Sequence, residues 1–310
     1  MRINRLQINV ATGRFTLPVV ILVCLLLWIL SLGSYRELFT LLVFALTGYM
    51  IIETNIAFTL IRTRTTLPVC IFWLLTSIMS FLHPFEWHNL SALAFILSVF
   101  HLFKSYESAH PARYIYHCFL FLSAGSIVFP QLLFFTPIFY AGSAVFCTLN
   151  SKSFWAGILG IFTPYWMLFC YAFIFERMDL FYLPLQELVQ FQSIDYSCIP
   201  HFSLISWGVA TTLQMVSHIH YFQISYQDKT RTRIFLLFLI YVGFFTTLFM
   251  LVQPHHLSAL LPIQIVCTAF LTGHLFTLTR NKFSGIFFIV TFVGIILLTG
   301  YHLWMQFFNF

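Results

Sequence analysis

Residues 234–253 read IFLLFLIYVGFFTTLFMLVQ and contain no charged side chain. A helix rises about 1.5 Å per residue, so a run of this length covers the roughly 30 Å of hydrocarbon in a lipid bilayer. Similar runs recur along the whole chain, which is 60% hydrophobic and only 8% charged. A soluble domain carries about 25% charged residues. The composition therefore predicts an all-α integral membrane protein, a polytopic bundle of transmembrane helices.

Polar breaks divide the chain into eleven apolar segments, of which residues 234–253 are one. The predicted spans are residues 15–33, 38–61, 66–82, 87–103, 113–129, 131–149, 153–175, 202–223, 234–253, 257–278 and 284–306. No linker, low-complexity stretch or soluble domain interrupts them. We therefore expect residues 1–310 to form a single integral membrane domain.

The basic residues alternate between loops in the way that sets membrane orientation. Of the fifteen Lys and Arg residues, only Arg36 and Arg177 fall on the side opposite the N-terminus. The other thirteen are Arg2, Arg5, Arg14, Arg62, Arg64, Lys104, Arg113, Lys152, Lys229, Arg231, Arg233, Arg280 and Lys282. Positive loops stay in the cytoplasm. This predicts a cytoplasmic N-terminus, an external C-terminus and a bacterial cytoplasmic (inner) membrane location, and topology alone accounts for the net charge of +6 without a nucleic-acid partner.

Glu53 is the only acidic residue inside a predicted span. A carboxylate at that depth costs a few kcal/mol unless it is paired, protonated or hydrated. His218, at a similar depth in the eighth span, is the partner that we expect for it. Two interpretations stay open: a proton relay, or a structural polar contact that joins two helices.

A second group of candidates lies in the external loops, where acidic side chains could act as bases and cationic ones could hold a phosphate. The candidate catalytic residues are Glu37, Glu86 and Asp179, and the candidate substrate-binding residues are Arg36, Arg177, His255 and His256. Histidine is also common at membrane surfaces, which is the alternative interpretation. Because no H-x-x-x-H, H-x-x-H-H or H-E-x-x-H pattern occurs, we assign no metal ligand, and the sequence leaves the cofactor unknown.

The longest external loop covers residues 176–200. Leu185 and Leu188 share one helical face, Glu187 lies opposite, and Pro184 suits a helix start. This pattern predicts a short interfacial amphipathic helix. The helix could close over a lipid-linked substrate or could simply cover the bundle.

Two stretches carry a resemblance to known families. They are residues 52–68, with Glu53, Asn55, Arg62, Arg64 and Pro68, and residues 157–165. Both resemble bacterial inner-membrane families that carry a domain of unknown function. In organisation the chain is also similar to the membrane-embedded glycosyltransferases that use polyprenyl-phosphate sugars, which implies an envelope enzyme. Those enzymes usually have an acidic motif in a long first outer loop, whereas this loop is short and holds one acid.

Three classes of function remain open at this stage, and the sequence does not decide whether the protein is an enzyme. The first is a non-catalytic membrane subunit of the cell envelope, which we rank highest. The second is a glycosyltransferase-like enzyme that acts on a lipid-linked sugar at the outer leaflet. The third is a proton-coupled transporter that uses Glu53. The expected partners are membrane lipids, together with a lipid-linked substrate or a membrane protein.

Overall fold

A computed structural model describes residues 2–191, 194–197, 199–279 and 281–308, with side chains described between residues 6 and 305. Arg280 and the side chains of Arg2 and Arg5, which count among the basic residues above, lie outside the described residues. So do residues 192, 193 and 198 of the predicted external loop.

Helices make up 83% of the structure, and the described residues contain no strand, so the all-helical fold class is confirmed. The described residues form thirteen α-helices. They are α1 (Arg2–Thr12), α2 (Thr16–Ser31), α3 (Glu37–Phe58), α4 (Leu67–Ile78), α5 (Leu90–Ser105), α6 (Pro111–Val128), α7 (Thr136–Val145), α8 (Ser151–Ile174), α9 (Asp179–Val189), α10 (His201–Ile224), α11 (Thr230–Val252), α12 (Leu257–Leu278) and α13 (Lys282–Phe308).

Each of the eleven predicted spans overlaps one of these helices, namely α2 to α8 and α10 to α13, although α4 and α7 have only 12 and 10 residues. Within the described residues, five helical stretches are long and apolar enough to cross a membrane: Glu37–Phe58, Ser151–Ile174, Thr230–Val252, Pro254–Leu278 and Lys282–Met305. The bent pair α1 and α2 adds a sixth if it counts as one span. These helices indicate a membrane protein, whereas the total of eleven spans and the sides of the termini stay predictions.

The chain divides into two compact units, unit 1 (Met1–Glu86 with Asp195–Phe310) and unit 2 (Trp87–Ile194). In unit 1, α12 is the central helix, and α1, α4, α10, α11 and α13 contact it. Its residues are buried on every side except near the two ends, at Ser258 and Leu278. A helix that is apolar around its whole circumference is stable only when neighbours cover it, which explains this position.

In unit 2, α6 is the central helix and lies between α5 and α8. Gly160 of α8 marks a close approach of α6 and α8, because a Cβ atom there would lie only 2.5 Å from the Tyr116 carbonyl oxygen. The absence of a side chain at this position lets the two helix backbones approach each other closely.

Two helices lie outside the predicted spans. Helix α1 is bent by 84° from α2 and carries the polar Gln7 on its buried face. Helix α9 supplies the short helix predicted within residues 176–200. Pro184 is inside α9 rather than at its start, because the helix begins five residues earlier at Asp179.

Candidate functional site

The loop between α3 and α4 is held in a defined conformation by its own polar side chains. Thr59 ends α3 in the left-handed region, with φ of 48°. The Asn55 side chain accepts from the Ile61 backbone N–H at 3.3 Å and donates to the Thr65 carbonyl at 3.4 Å. The Thr65 hydroxyl donates to the Ala11 carbonyl of α1 at 2.6 Å. These bonds fix the loop against the end of α1.

A cavity of about 630 Å³ opens between this loop and the α1–α2 bend. Arg14, Arg62 and Arg64 all line it, while Ile52 and Ile56 supply part of an apolar wall. No acidic residue is among the described residues that line the cavity. Three arginines at one cavity, with no acidic residue among the described lining residues, make the site positively charged.

The three arginines differ in their contacts. Arg62 forms an ion pair with Asp228, with 3.3 Å between Nη2 and Oδ1. Arg14 lies over the ring of Phe15, with its Cζ atom 5.1 Å from the ring centre. Within the described part of the chain, neither Arg14 nor Arg64 forms an ion pair with an acid. Their charge is therefore available to a ligand.

Asp228 is the deepest charged group at this end of unit 1, since its side chain is only 1% exposed. Its Oδ2 atom lies 2.8 Å from Nε2 of His274, whose side chain is equally buried. A buried carboxylate is stable only when hydrogen bonds and opposite charge compensate it. Arg62 thus belongs both to the wall of the cavity and to a buried Asp228–His274 pair.

A line of buried polar side chains extends from this pair between α10, α11 and α12; we call it the polar seam. It consists of Tyr221, His218, Ser217, Thr272, Gln214, Gln264, Thr247 and Thr211. Ser217 and Thr272 hydroxyl groups are 2.8 Å apart. Gln264 Nε2 donates to Gln214 Oε1 and, at 3.1 Å, to the hydroxyl oxygens of Thr211 and Thr247.

Several polar atoms of the seam have no hydrogen-bond partner among the described residues, notably His218 Nε2, Gln214 Nε2 and Gln264 Oε1. Buried polar atoms usually find a partner in protein or ordered water. Glu53 is half-buried on α3 and forms no hydrogen bond or ion pair in the described part of the chain. The predicted Glu53–His218 pair is therefore not joined by a direct bond.

The opposite end of unit 1 is organised around His83, in the loop after α4. The His83 ring is stacked on Trp28 at 3.8 Å between ring centres, and its Nδ1 lies 2.6 Å from the Ser31 hydroxyl. The Trp28 indole donates to the Ser77 hydroxyl at 3.2 Å. Burial lowers the pKa of His83 from 6.5 to about 4, although the Thr76 and Ser77 carbonyls and the other histidine at this end, His302, also act on it. His83 is consequently neutral at physiological pH.

Glu37 and two histidines line a second cavity at this end, of about 430 Å³. Both carboxylate oxygens of Glu37 face the Gly33 backbone N–H, at 3.2 and 3.3 Å. His302 shares the cavity with His83 and has its Nε2 2.7 Å from the Ser206 hydroxyl. The structure therefore brings one predicted catalytic acid together with two histidine rings.

The other predicted external residues are placed separately. Arg177 and Asp179 form an exposed ion pair of 3.4 Å in unit 2. In unit 1, Glu86 is exposed in the loop that precedes α5, and His255 and His256 form a short turn before α12. Arg36 lies beside Glu37 and forms no ion pair in the described part of the chain.

Sequence reasoning missed Asp228 and His274 as a pair. In the sequence, Asp228 is an acidic residue of a predicted loop, and His274 is an isolated histidine in a predicted apolar helix. They are 46 residues apart, so no short motif joins them. The available signal was the predicted topology, which places both residues toward the same membrane side as Arg62, where acidic loop residues are predicted to be scarce.

Comparison with protein-family models, curated proteins and solved structures finds no match for this chain. The site is therefore interpreted from its own geometry.

Proposed function

We propose that this is a polytopic protein of a bacterial cytoplasmic membrane that binds a phosphate-bearing anion in the cavity lined by Arg14, Arg62 and Arg64. The observation that supports the proposal is that these three arginines line one cavity of about 630 Å³. A phosphate could come from a lipid headgroup or from a soluble phosphate, and both share the chemistry that arginine recognises.

Arginine suits this ligand because its planar guanidinium donates two parallel hydrogen bonds to phosphate oxygens. The apolar residues Ile52 and Ile56 beside the arginines would accommodate the hydrocarbon part of a lipid. The bonds of Asn55 and Thr65 hold the loop in place before any ligand arrives, which reduces the entropy lost on binding.

We further propose eleven spans, with the N-terminus in the cytoplasm and the C-terminus outside. The loop charges support this orientation, since thirteen of the fifteen basic residues fall on one side. The cavity then faces the cytoplasmic leaflet, whose anionic lipids attract basic segments with about 1 kcal/mol per Lys or Arg near the surface.

Binding of lipid to the purified protein in detergent, measured by native mass spectrometry, tests the proposal. Dihexanoyl-phosphatidylglycerol is compared with dihexanoyl-phosphatidylcholine and with inorganic phosphate. We expect saturable binding of phosphatidylglycerol, weakened about tenfold or more by Arg14→Gln or Arg64→Gln, because each charge-assisted bond contributes about 1.5–3 kcal/mol.

Arg113→Gln is the matched control, since Arg113 is an exposed cation of unit 2, predicted on the same side of the membrane. It should leave the affinity unchanged. Binding of inorganic phosphate alone would assign the site to a soluble anion. Equal binding of the zwitterionic phosphatidylcholine would contradict a site that selects a net anion, and an equal effect of Arg113→Gln would contradict a specific site at these arginines.

A second candidate function is proton-coupled transport, and the polar seam is the observation that favours it. The seam carries His218 between the Asp228–His274 pair and the amide cluster around Gln264. Chains of ionisable and polar groups inside membrane helices are typical of proton pathways. In this hypothesis the proton pathway runs along the polar seam rather than through Glu53. pH-dependent uptake that Gln264→Leu abolishes and Glu53→Gln leaves intact would support it, and the reverse result would exclude it.

Lipid binding that is not followed by a catalysed reaction is consistent with a non-catalytic envelope subunit, which remains the function that we rank highest. An envelope enzyme acting on a lipid-linked sugar would use the other cavity, where Glu37 lies beside His83 and His302. Loss of an envelope phenotype in Glu37→Gln, with Asp179→Asn as a control from unit 2, would favour the enzyme.

A further inference from the structure

Arg62 connects two sites that would otherwise be separate. About half of its side chain is exposed, at 47%, and this part lines the cavity. Its Nη2 atom also contacts Asp228, whose side chain is 1% exposed. The contact of 3.3 Å is longer than the 2.7–2.9 Å typical of strong charge-assisted bonds. The contact of Arg62 with Asp228 is therefore weaker than the 2.8 Å contact of His274 with the same carboxylate.

The surroundings of Asp228 offer little other positive charge. On α12, His274 contacts it directly, and on α10 Tyr221 interacts with Asp228 through its side-chain hydroxyl and packs its ring edge-on against His274 at 5.1 Å. His220 of α10 interacts electrostatically with His274. From the start of α11, Arg233 acts electrostatically on Tyr221. Lys229 follows Asp228 in the chain and is exposed to solvent.

We infer that a bound phosphate takes Arg62 from Asp228, and that the Asp228–His274 pair then takes up one proton from the adjoining water. The inference rests on the proposed function and adds a proton site to it. A phosphate oxygen pair engages the guanidinium fork more fully than the single contact to Asp228 does.

The proton follows from the charge that the exchange leaves behind. With Arg62 turned to the ligand, the buried Asp228–His274 pair loses the positive charge of the guanidinium beside it. Loss of a compensating charge is costly in a low-dielectric site. One added proton replaces that charge, whether it resides on the carboxylate or on the imidazole, because strongly coupled groups titrate together. Ligand and proton are thus bound together, and each favours the other.

Isothermal titration calorimetry of the full-length protein measures this coupling directly. The probe is dihexanoyl-phosphatidylglycerol, whose phosphodiester keeps one negative charge from about pH 6 to about pH 8 and so contributes no proton of its own. Titrations in two buffers with different ionisation enthalpies give the number of protons taken up. We expect about one proton per ligand in the wild type, and an affinity that falls about tenfold per unit rise in pH.

Asp228→Asn removes the group that needs compensation and keeps its size. This variant should bind the probe with an affinity that no longer depends on pH and with no proton uptake. Arg64→Gln, in contrast, should bind more weakly and keep the same proton uptake per ligand, because it leaves Arg62, Asp228 and His274 in place. The wild-type calorimetry decides the question alone if Asp228→Asn does not fold.

The outcomes separate this inference from the proposed function. Wild-type binding that Arg14→Gln weakens, but without proton uptake or pH dependence, would overturn the proton coupling and leave the phosphate site intact. Binding with the same proton uptake in Asp228→Asn would also overturn it. If the wild type does not bind the probe at all, the proposed function fails first and the coupling fails with it.

Discussion

Gly160 of α8 allows a sharp test of the packing in unit 2, because its neighbour is backbone. A Cβ atom at this position would lie 2.5 Å from the Tyr116 carbonyl oxygen and 3.1 Å from the Leu120 amide nitrogen of α6. A carbonyl of a helix cannot rotate away as a side chain can. In Gly160→Ala, the two helices must therefore separate.

The size of the effect follows from these distances. Favourable contact between heavy atoms begins near 3.5 Å, so α6 and α8 would have to move apart by roughly 1 Å. Overpacking of this kind costs about 1–3 kcal/mol. Alanine recovers up to about 1 kcal/mol through its higher helix propensity. The net loss of unfolding free energy should be about 0–2 kcal/mol, and about 1–3 kcal/mol relative to a helical glycine whose Cβ position is open.

Gly208→Ala is the matched control, since Gly208 also lies inside a helix and has nothing within 4 Å of its Cβ position. There the gain in helix propensity acts alone, and the substitution should be neutral or stabilising. Thermal unfolding in detergent, followed by circular dichroism, compares the two. Gly160→Ala should lower Tm by several degrees relative to Gly208→Ala. Equal Tm values in the two variants would refute the close α6–α8 contact.

Three further predictions concern buried polar groups in unit 1. Burial lowers the pKa of His83 to about 4, so between pH 6.5 and pH 4 the unfolded chain binds more protons than the folded chain. The free energy of unfolding should therefore fall by up to about 3 kcal/mol as the pH drops through this window. His83→Phe keeps a ring against Trp28 and should flatten the dependence of Tm on pH. Gln7 donates to the Phe276 and Thr279 carbonyls at 2.7 and 3.0 Å. Gln7→Leu should therefore destabilise the docking of α1 by about 1–3 kcal/mol and speed amide hydrogen exchange in α1. Unchanged exchange would count against this contact. Gln264→Leu removes the donor shared by three buried oxygens and should lower Tm by a similar free energy, and a stabilised variant would show that the amide cluster does not support the fold.

The helices themselves were largely predictable from the sequence. Apolar runs bounded by polar residues give the positions of α2 to α8 and α10 to α13, because hydrophobic length is the dominant signal in such a chain. Helix α1 was missed because its sequence, RINRLQINVAT, is polar. It is ordered by tertiary bonds from Gln7 and Thr65 rather than by its own hydrophobicity.

The candidate site was predictable only in part. Arg62 and Arg64 lie in one short segment of the sequence, but their meeting with Arg14 depends on the 84° bend between α1 and α2. The Asp228–His274 pair depends on how α12 packs between α4 and α10, and no local pattern encodes that packing. Among the predicted external residues, Glu37 lies beside His83 and His302 in one cavity. The sequence does not predict this contact, because the two histidines lie at the ends of apolar helices whose pairing has no local sequence signal.

The most direct test of the central claim is an electron cryo-microscopy structure in nanodiscs that contain phosphatidylglycerol and phosphatidylcholine. The phosphate-binding proposal predicts headgroup density in the cavity, with phosphate oxygens within hydrogen-bond distance of Arg14, Arg62 and Arg64. It also predicts loss of that density in Arg64→Gln. Headgroup density confined to other surfaces, with the three arginines in contact only with water, would contradict it.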